Sequence, residues 1–487
     1  MRRRWRTLDV DAAPTGSLGG RGLDSIIGLA AQGLVRFALT FAVGRLAGPA
    51  ELGVFATGLA IAQMLILLWP STSGQAASRF VARARGRADR DELHGVLDHL
   101  GRRVLRAGLV LALACVPIWL FLEGGLGNLS LGDALAGCTV GAACAGLAGQ
   151  AYTRGVHYGL GAVRRVVVLD IACSLAGLLG LVLALMSGVR GVALLLPPAL
   201  AYLALSALCW PWRVHGAADP QLRRELDRFV LFGSMGTIAS AGLIQFSLLA
   251  SRAAGQAAGA GQYSAASSLA LPLTLASGAL SLVLYPSLSE AAGRGDHAGV
   301  SRQLDRGFRG VVLLVVPAVG VMALLARPLV ALVWGAQFDL TAKLLPILLL
   351  AVLANVAGVP CVNAITGATG TGIARMAAVS FAGLAVAAVL WLLLVPTYGV
   401  PAVAVGYAAG VFLIAGYAVG EAWWRWRLSW AMPVALLLFA IIIIAGAPVL
   451  LHDAPWWQAL LAAAGFVAVW AATHLPDIAW VRAALKR

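Results

Sequence analysis

Five side chains in this sequence combine a type and a position that could act on a charged ligand. Arg36 sits near the middle of the apolar stretch 25–47, with Gln32 one helical turn before it. A guanidinium at mid-membrane depth costs at least ~2.5–3.5 kcal/mol on insertion scales, so it faces a cavity or a partner. Its fork donates paired hydrogen bonds and stays charged, which suits phosphate. The competing reading is a buried structural pair. Gln32 shares the Arg36 face of the helix and is the amide best placed to join it. Arg45 and Arg252 stand at the outer ends of two apolar stretches, where snorkelling or a helix-end contact competes with ligand binding. Glu51 is close enough in sequence to pair with Arg45. Asp170 follows Arg164-Arg165 by one turn inside another apolar stretch. It could pair with an arginine, couple a proton or face the cytoplasmic mouth. The other intramembrane amides, Gln63, Gln245, Asn355 and Asn363, read as interhelical hydrogen bonds.

Other chemistries lack their residues. No GxxxxGK[ST] motor is present, and Gly367-Ala-Thr-Gly-Thr-Gly372 lacks the lysine and reads as an interspan turn. The six cysteines, Cys115, Cys138, Cys144, Cys173, Cys209 and Cys361, all fall in apolar stretches without CxxC pairing and read as small buried hydrophobes. No Ser-His-Asp set, paired carboxylates or zinc spacing occurs, so no enzyme activity, metal or cofactor is expected.

The elements that must carry these residues follow from composition. The 487 residues are 60% hydrophobic and 12% charged, with a mean hydropathy of +0.87. A soluble domain carries about twice that charge fraction. The expectation is an all-α polytopic membrane protein with about fourteen spans, at 25–47, 52–73, 104–122, 134–152, 166–187, 191–212, 229–251, 263–286, 309–326, 343–366, 373–395, 399–421, 430–450 and 456–474. The first stretch has no clear cleavage site and reads as an uncleaved span. With the N-terminus inside, Lys and Arg divide 30 to 4 between the two sides, with Arg36 and Arg45 in span one. That split predicts both termini in the cytoplasm, and it accounts for the net charge of +15 without nucleic acid. The Arg-rich stretch 74–103 is expected to lie partly helical on the membrane surface. Trp residues near span ends read as an interfacial belt.

An internal repeat sets the organisation. Arg45-Leu-Ala-Gly48 leads to Gly53-Val-Phe-Ala56, and Arg252-Ala-Ala-Gly255 leads to Gly261-Gln-Tyr-Ser264. Upstream, Arg21-Gly-Leu-Asp24 echoes Arg224-Glu-Leu-Asp227. The offset equals six spans, so both halves share one orientation, a parallel repeat. The expected divisions are an N-tail at 1–24, an N-lobe at 25–212, a linker at 213–228, a C-lobe at 229–421, two added spans within 430–474 and a C-tail at 475–487.

These residues also resemble a family. Gln32-x3-Arg36 followed by Arg45-Leu-x-Gly-Pro-x3-Gly53-x-Phe55-Ala is similar to the opening of polysaccharide-export flippases of the Wzx/PST type, in the MATE-like MOP superfamily. Gly261-Gln-Tyr-Ser-Ala-Ala-Ser, Val283-Leu-Tyr-Pro286-Ser-Leu-Ser289, Pro317 and Arg327-Pro-Leu-Val-x-Leu-Val-Trp-Gly335 extend the resemblance, which covers about residues 20–420. It implies two six-helix lobes around a cavity that is often cationic. It implies transfer of a lipid-linked oligosaccharide, typically on undecaprenyl pyrophosphate, across the bacterial inner membrane by alternating access, for surface polysaccharide. Arg36 then becomes a pyrophosphate or sugar-acid contact and Gln32 its neighbour. Two departures stand out. Ala50-Glu-Leu-Gly53 lacks the aromatic that often precedes the Gly, and span one carries no acid of the kind drug-exporting relatives use.

The implied partners are the lipid-linked oligosaccharide, membrane lipids and polysaccharide polymerase or export proteins, around a monomer. Two alternatives compete. A MATE-like exporter of cationic drugs needs a membrane acid facing the cavity, and Asp170 is the candidate. A membrane glycosyltransferase or polymerase needs a sizeable outside loop, and none here exceeds roughly twenty residues.

Overall fold

In the computed structural model, residues 18–123, 131–212, 214–368, 371–450 and 454–473 are described. They form helices joined by short turns, with no strand among them. The chain divides into two compact units, Met1–Leu249 and Ala250–Arg487. The first holds α1 (Leu18–Ile66), α2 (Pro70–Gly86), α3 (Arg90–Glu123), α4 (Leu131–Gly159), α5 (Val163–Met186), α6 (Leu196–Cys209) and the start of α7 (Pro220–Gly293). The second holds the rest of α7, then α8 (His297–Leu324), α9 (Ala326–Val333), α10 (Asp339–Ala368), α11 (Gly372–Tyr398), α12 (Val400–Trp426), α13 (Ala431–Leu450) and α14 (Trp456–Thr473).

Among the described residues, ten helices are long and apolar enough to cross a membrane, or up to eleven if a bent pair counts as one span. This falls short of the fourteen expected, and the backbone gives a reason. α1 runs through a break at Gly48 (φ 89°, ψ 179°). Arg36 and Gln63 lie 27 residues apart in sequence yet hydrogen-bond at 2.8 Å. In an unbroken helix they would be about 40 Å apart. The chain therefore folds back at Gly48, and α1 carries two antiparallel segments. α7 is also interrupted, at Gly255 and Gln256 (φ 53°, ψ −156°).

Both breaks fall on the sequence repeat, three residues after Arg45 and three after Arg252. In the first copy a glycine takes the positive φ and Pro49 restarts the helix with its pre-set φ. In the second the positive φ falls on Gln256, in a region that costs a non-glycine residue about 1–3 kcal/mol. Packing repeats as well. In the first unit α3 meets α4, α4 meets α6, and α5 meets α6; in the second α8 meets α10, α10 meets α12, and α11 meets α12.

The stretch 74–103 departs from the surface placement expected of it. It forms most of α2, a turn and the start of α3. The small and apolar residues of α2 recur at helical spacing, so Gly74, Ala76, Ala77, Phe80, Val81 and Ala84 are all buried. Ala76, Ala77, Phe80, Val81 and Ala84 join Leu93, Leu97, Leu100, Tyr152, Val156, Leu226 and Val230 in one core cluster. The intervening arginines face outward and tie the helix ends together. Arg83 bridges Glu92 and Glu225, each at 2.6 Å, and Asp227 receives His99 at 2.9 Å and Arg103 at 2.8 Å.

The seam between α2 and α4 is made of backbone. A Cβ on Gly155 would strike the Gly74 carbonyl, and one on Gly74 would strike the Ala151 carbonyl. Gly74→Ala is therefore expected to cost about 1–3 kcal/mol. Gly86→Ala, on the same helix with no atom within 4 Å of the new methyl, should be neutral or gain up to ~1 kcal/mol. Thermal melts of the two purified variants compare them, and equal melting temperatures would refute the seam.

Candidate functional site

The interior polar groups of the first unit gather into two adjacent sets, both anchored on the first half of α1. Gln32 and Arg36 share one helix face but take different partners. Gln32 Nε2 donates to Asp170 Oδ2 on α5 at 2.9 Å. Arg36 Nη2 donates to Gln63 Oε1 at 2.8 Å, and Gln245 Nε2, on α7, donates to the same oxygen at 2.9 Å. The fold-back at Gly48 makes the second set possible, because it returns Gln63 to the depth of Arg36. Thr40 Oγ1 donates to the Arg36 carbonyl at 2.9 Å and helps to fix that turn of α1.

Asp170 is 4% exposed. Its second oxygen accepts from Gln150 Nε2 on α4 at 2.9 Å. Arg154, one turn further along α4, brings Nη1 to 3.8 Å from Oδ2 and donates through Nη2 to the Tyr158 hydroxyl at 3.1 Å. The carboxylate thus meets only N–H donors, two amides and one guanidinium. That donor set suits an ionised carboxylate with Arg154 as its counter-charge. Of the readings open for Asp170, pairing with an arginine is the one these contacts match.

Arg36 is different. Its side chain is exposed, and among the described residues no carboxylate lies within salt-bridge reach of it. One of its five N–H groups is engaged by the Gln63 amide, which leaves the others for further acceptors. Tyr202 on α6 lies within electrostatic reach of both Arg36 and Asp170. The site therefore pairs a closed acid–amide cluster with an available cation on the same helix.

The remaining expected residues stand apart. Arg45 is exposed, and Glu51 does not pair with it. The Glu51 carboxylate instead accepts the Gly191 backbone N–H at 2.5 Å, an otherwise orphaned donor at the entry to the turn before α6. Arg252 belongs to the second unit. Asn363 donates to Ser281 Oγ at 3.2 Å. Gln150 and the role of Arg154 escaped the sequence reading. Gln150 sits inside a run of small residues, Ala148-Gly149-Gln150-Ala151, where nothing but its spacing of four from Arg154 marks it.

Residues 165–343 match the family described as polysaccharide biosynthesis protein. In fold the chain is similar to the lipid II flippase MurJ in an inward closed conformation, with a TM-score of 0.70 at 12% identity, over 94% of this chain and 99% of that one. It is similar to an inward-facing multidrug resistance MATE family transporter of the MOP superfamily, with a TM-score of 0.65 at 17% identity, over 81% of this chain and 94% of that one. A MOP superfamily transporter from Pyrococcus furiosus aligns with a TM-score of 0.60 at 16% identity, over 83% of this chain and 94% of that one. No curated protein sequence matches the chain. The all-helical, MATE-like fold with its many apolar helices, read from the sequence, is borne out. These neighbours are transporters and a flippase rather than enzymes.

The acid cluster yields a direct test. Asp170→Ala leaves two amides and a guanidinium without their acceptor, and should cost about 3–5 kcal/mol. Asp170→Asn keeps one acceptor oxygen and should cost less. Melting temperatures of the purified variants give the order, and a wild-type value for Asp170→Ala would remove the cluster from any structural role.

Proposed function

We propose that this chain is a flippase for a lipid-linked oligosaccharide, with an undecaprenyl-pyrophosphate anchor as the group that Arg36 recognises. It would work in the bacterial inner membrane, with both termini cytoplasmic, and supply surface polysaccharide assembly. The observation that carries the reading is Arg36 itself. A guanidinium at mid-span, exposed and held by one neutral amide, cannot face hydrocarbon without large cost. It is positioned to meet water and an anion, and its free N–H groups match the oxygens of a pyrophosphate. Gln63, shared between Arg36 and Gln245, holds the guanidinium in place. Gln32, engaged by Asp170, acts at one remove.

The comparisons support the same class of cargo from outside the site. MurJ is a flippase of lipid II, and the family match is to polysaccharide biosynthesis. Alternating access is the motion that a parallel repeat suits, and the same packing order recurs within each unit. The competing reading, export of a cationic drug, needs an acid open to ligand. Asp170 is buried and its oxygens are taken by N–H donors, which weighs against it.

Arg36→Ala is expected to lower surface glycan at least ~10-fold, the scale of a lost charge-assisted hydrogen bond, with the protein still present in the membrane. Arg36→Lys, which keeps the charge without the fork, should retain part of the activity. Glycan immunoblots alongside membrane protein levels measure both. Wild-type export by Arg36→Ala would overturn the assignment, and drug resistance conferred by overexpression would favour the exporter instead.

A further inference from the structure

A second basic site lies in the other unit, at the end of α12. Its framework is one face of α8. His297, Ser301, Asp305 and Phe308 recur at spacings of four, four and three, and so line one stripe of that helix. The distal half of the stripe is locked. The Trp430 indole donates to Asp305 Oδ1 at 2.8 Å, and its ring, fully buried, stacks on Phe308 with centroids 4.1 Å apart. Arg309 Nη2 reaches the Ser429 carbonyl at 3.3 Å and pairs with Asp305 at 3.0 Å. The turn between α12 and α13 is thereby pinned against α8. The proximal half, His297 and Ser301, faces the end of α12 across a cleft of about 450 Å³ that also includes Arg425, Trp426 and Arg427. A second cleft of about 480 Å³ is lined by Gly420, Trp423, Trp424, Arg427 and Leu428. Arg427 lines both.

The charges in this place are unbalanced. Arg425 and Arg427 are exposed, and among the described residues neither forms an ion pair. The acids nearby are committed elsewhere. Asp296 caps the Gly299 N–H at 2.7 Å, Asp305 serves Trp430 and Arg309, and Glu421 is paired with Arg375 at 2.5 Å. Beside this positive cleft Trp424 is 84% exposed, and the adjoining helix α13 turns Met432, Leu438, Phe439 and Ile442 outward. An exposed indole, unpaired arginines and an apolar helix face in that order match the sequence of chemistries met at a lipid headgroup.

We infer that the cleft at the α8–α12 corner, centred on Arg425 and Arg427, binds the headgroup phosphate of an anionic phospholipid whose acyl chains run along α13. The occupant is a lipid and not a soluble anion because Arg427 stands four residues before α13, whose outward apolar side chains offer acyl chains binding that a free phosphate lacks. The site is separate from Arg36 and needs neither the transported cargo nor the proposed function to be correct.

Arg427 supplies a clean variant. It caps α12 in the left-handed conformation, with φ 48° and ψ 49°. Glycine adopts that conformation at no steric cost, so Arg427→Gly removes the charge while easing the backbone. The purified full-length protein is titrated with phosphatidylglycerol or phosphatidylcholine in detergent micelles, with bound lipid read by native mass spectrometry. Phosphatidylglycerol is expected to be retained in preference to phosphatidylcholine. Arg427→Gly should weaken it about fivefold, and Arg425→Gln with Arg427→Gly about 25-fold, at roughly one factor of five per arginine. Arg302→Gln, on α8 outside the cleft, should leave affinity unchanged. Melting in phosphatidylcholine should show Arg427→Gly as stable as the wild type or more so. Equal retention of both lipids, or an unchanged affinity in the double variant, overturns the inference. So does competition by millimolar inorganic phosphate as effective as by phosphatidylglycerol, which would make this a soluble-anion site.

Discussion

The reversal of the chain at Gly48 is the constraint on which the first unit's polar interior rests. Without it, Arg36 and Gln63 would sit at opposite ends of one rod. With it, a guanidinium that hydrocarbon would expel gains an amide at its own depth, and that amide also gathers Gln245 from α7. The residue type needed is set by the backbone alone: a positive φ with an extended ψ is open to glycine and costly to others. The second copy breaks at Gly255 and Gln256, where Gln256 bears the positive φ at a cost and a Cβ on Gly255 would strike Val400. A break at the same place in the repeat interrupts both very long helices, and in α1 it returns the chain on itself.

On that framework the two ionisable groups of the site divide their roles by solvation. Asp170 is enclosed, and every donor around it is an N–H, so its charge is spent inside the protein. Arg36 is open, and most of its hydrogen-bonding capacity is unspent. Removing one partner of an enclosed pair is destabilising, whereas a guanidinium left partly unsatisfied in an apolar setting keeps donors for water or an anion. The two lie one turn apart through Gln32 and Arg36. A change in the packing of α5 against α1 would therefore be felt at Arg36 without any direct contact between the acid and the base.

The sequence made the outline legible because membrane spans announce themselves by length and apolarity. Arg36 and Asp170 were visible for the same reason, as charges where charges are expensive. The repeat was readable at Arg45 and Arg252, and its glycines proved to mark the breaks. What sequence spacing could not show was pairing across helices. Gln32 looked like a neighbour of Arg36 because the two share a face, yet it turns to Asp170 on a helix far along the chain. Glu51 looked like a partner for Arg45 and instead completes a turn at Gly191. The stretch 74–103 looked like a surface segment because its arginines dominate the composition. Gly74, Ala76, Ala77 and Ala84, buried along one side of α2, decided otherwise.

The ion pairs of the first unit fall into two populations that ionic strength would separate. Those joining α2, α3 and the start of α7, among them Arg83–Glu225 and Arg103–Asp227, are partly open to solvent. Mobile ions screen such contacts within a Debye length of about 8–10 Å at ordinary salt. Asp170, buried among its donors, is screened much less. Concentrated salt would therefore loosen the base of α7 against α2 and α3 while the acid–amide cluster inside stayed intact. The foot of α7 thus behaves as a coupling that the surrounding electrolyte can tune, set on a bundle whose interior does not sense it.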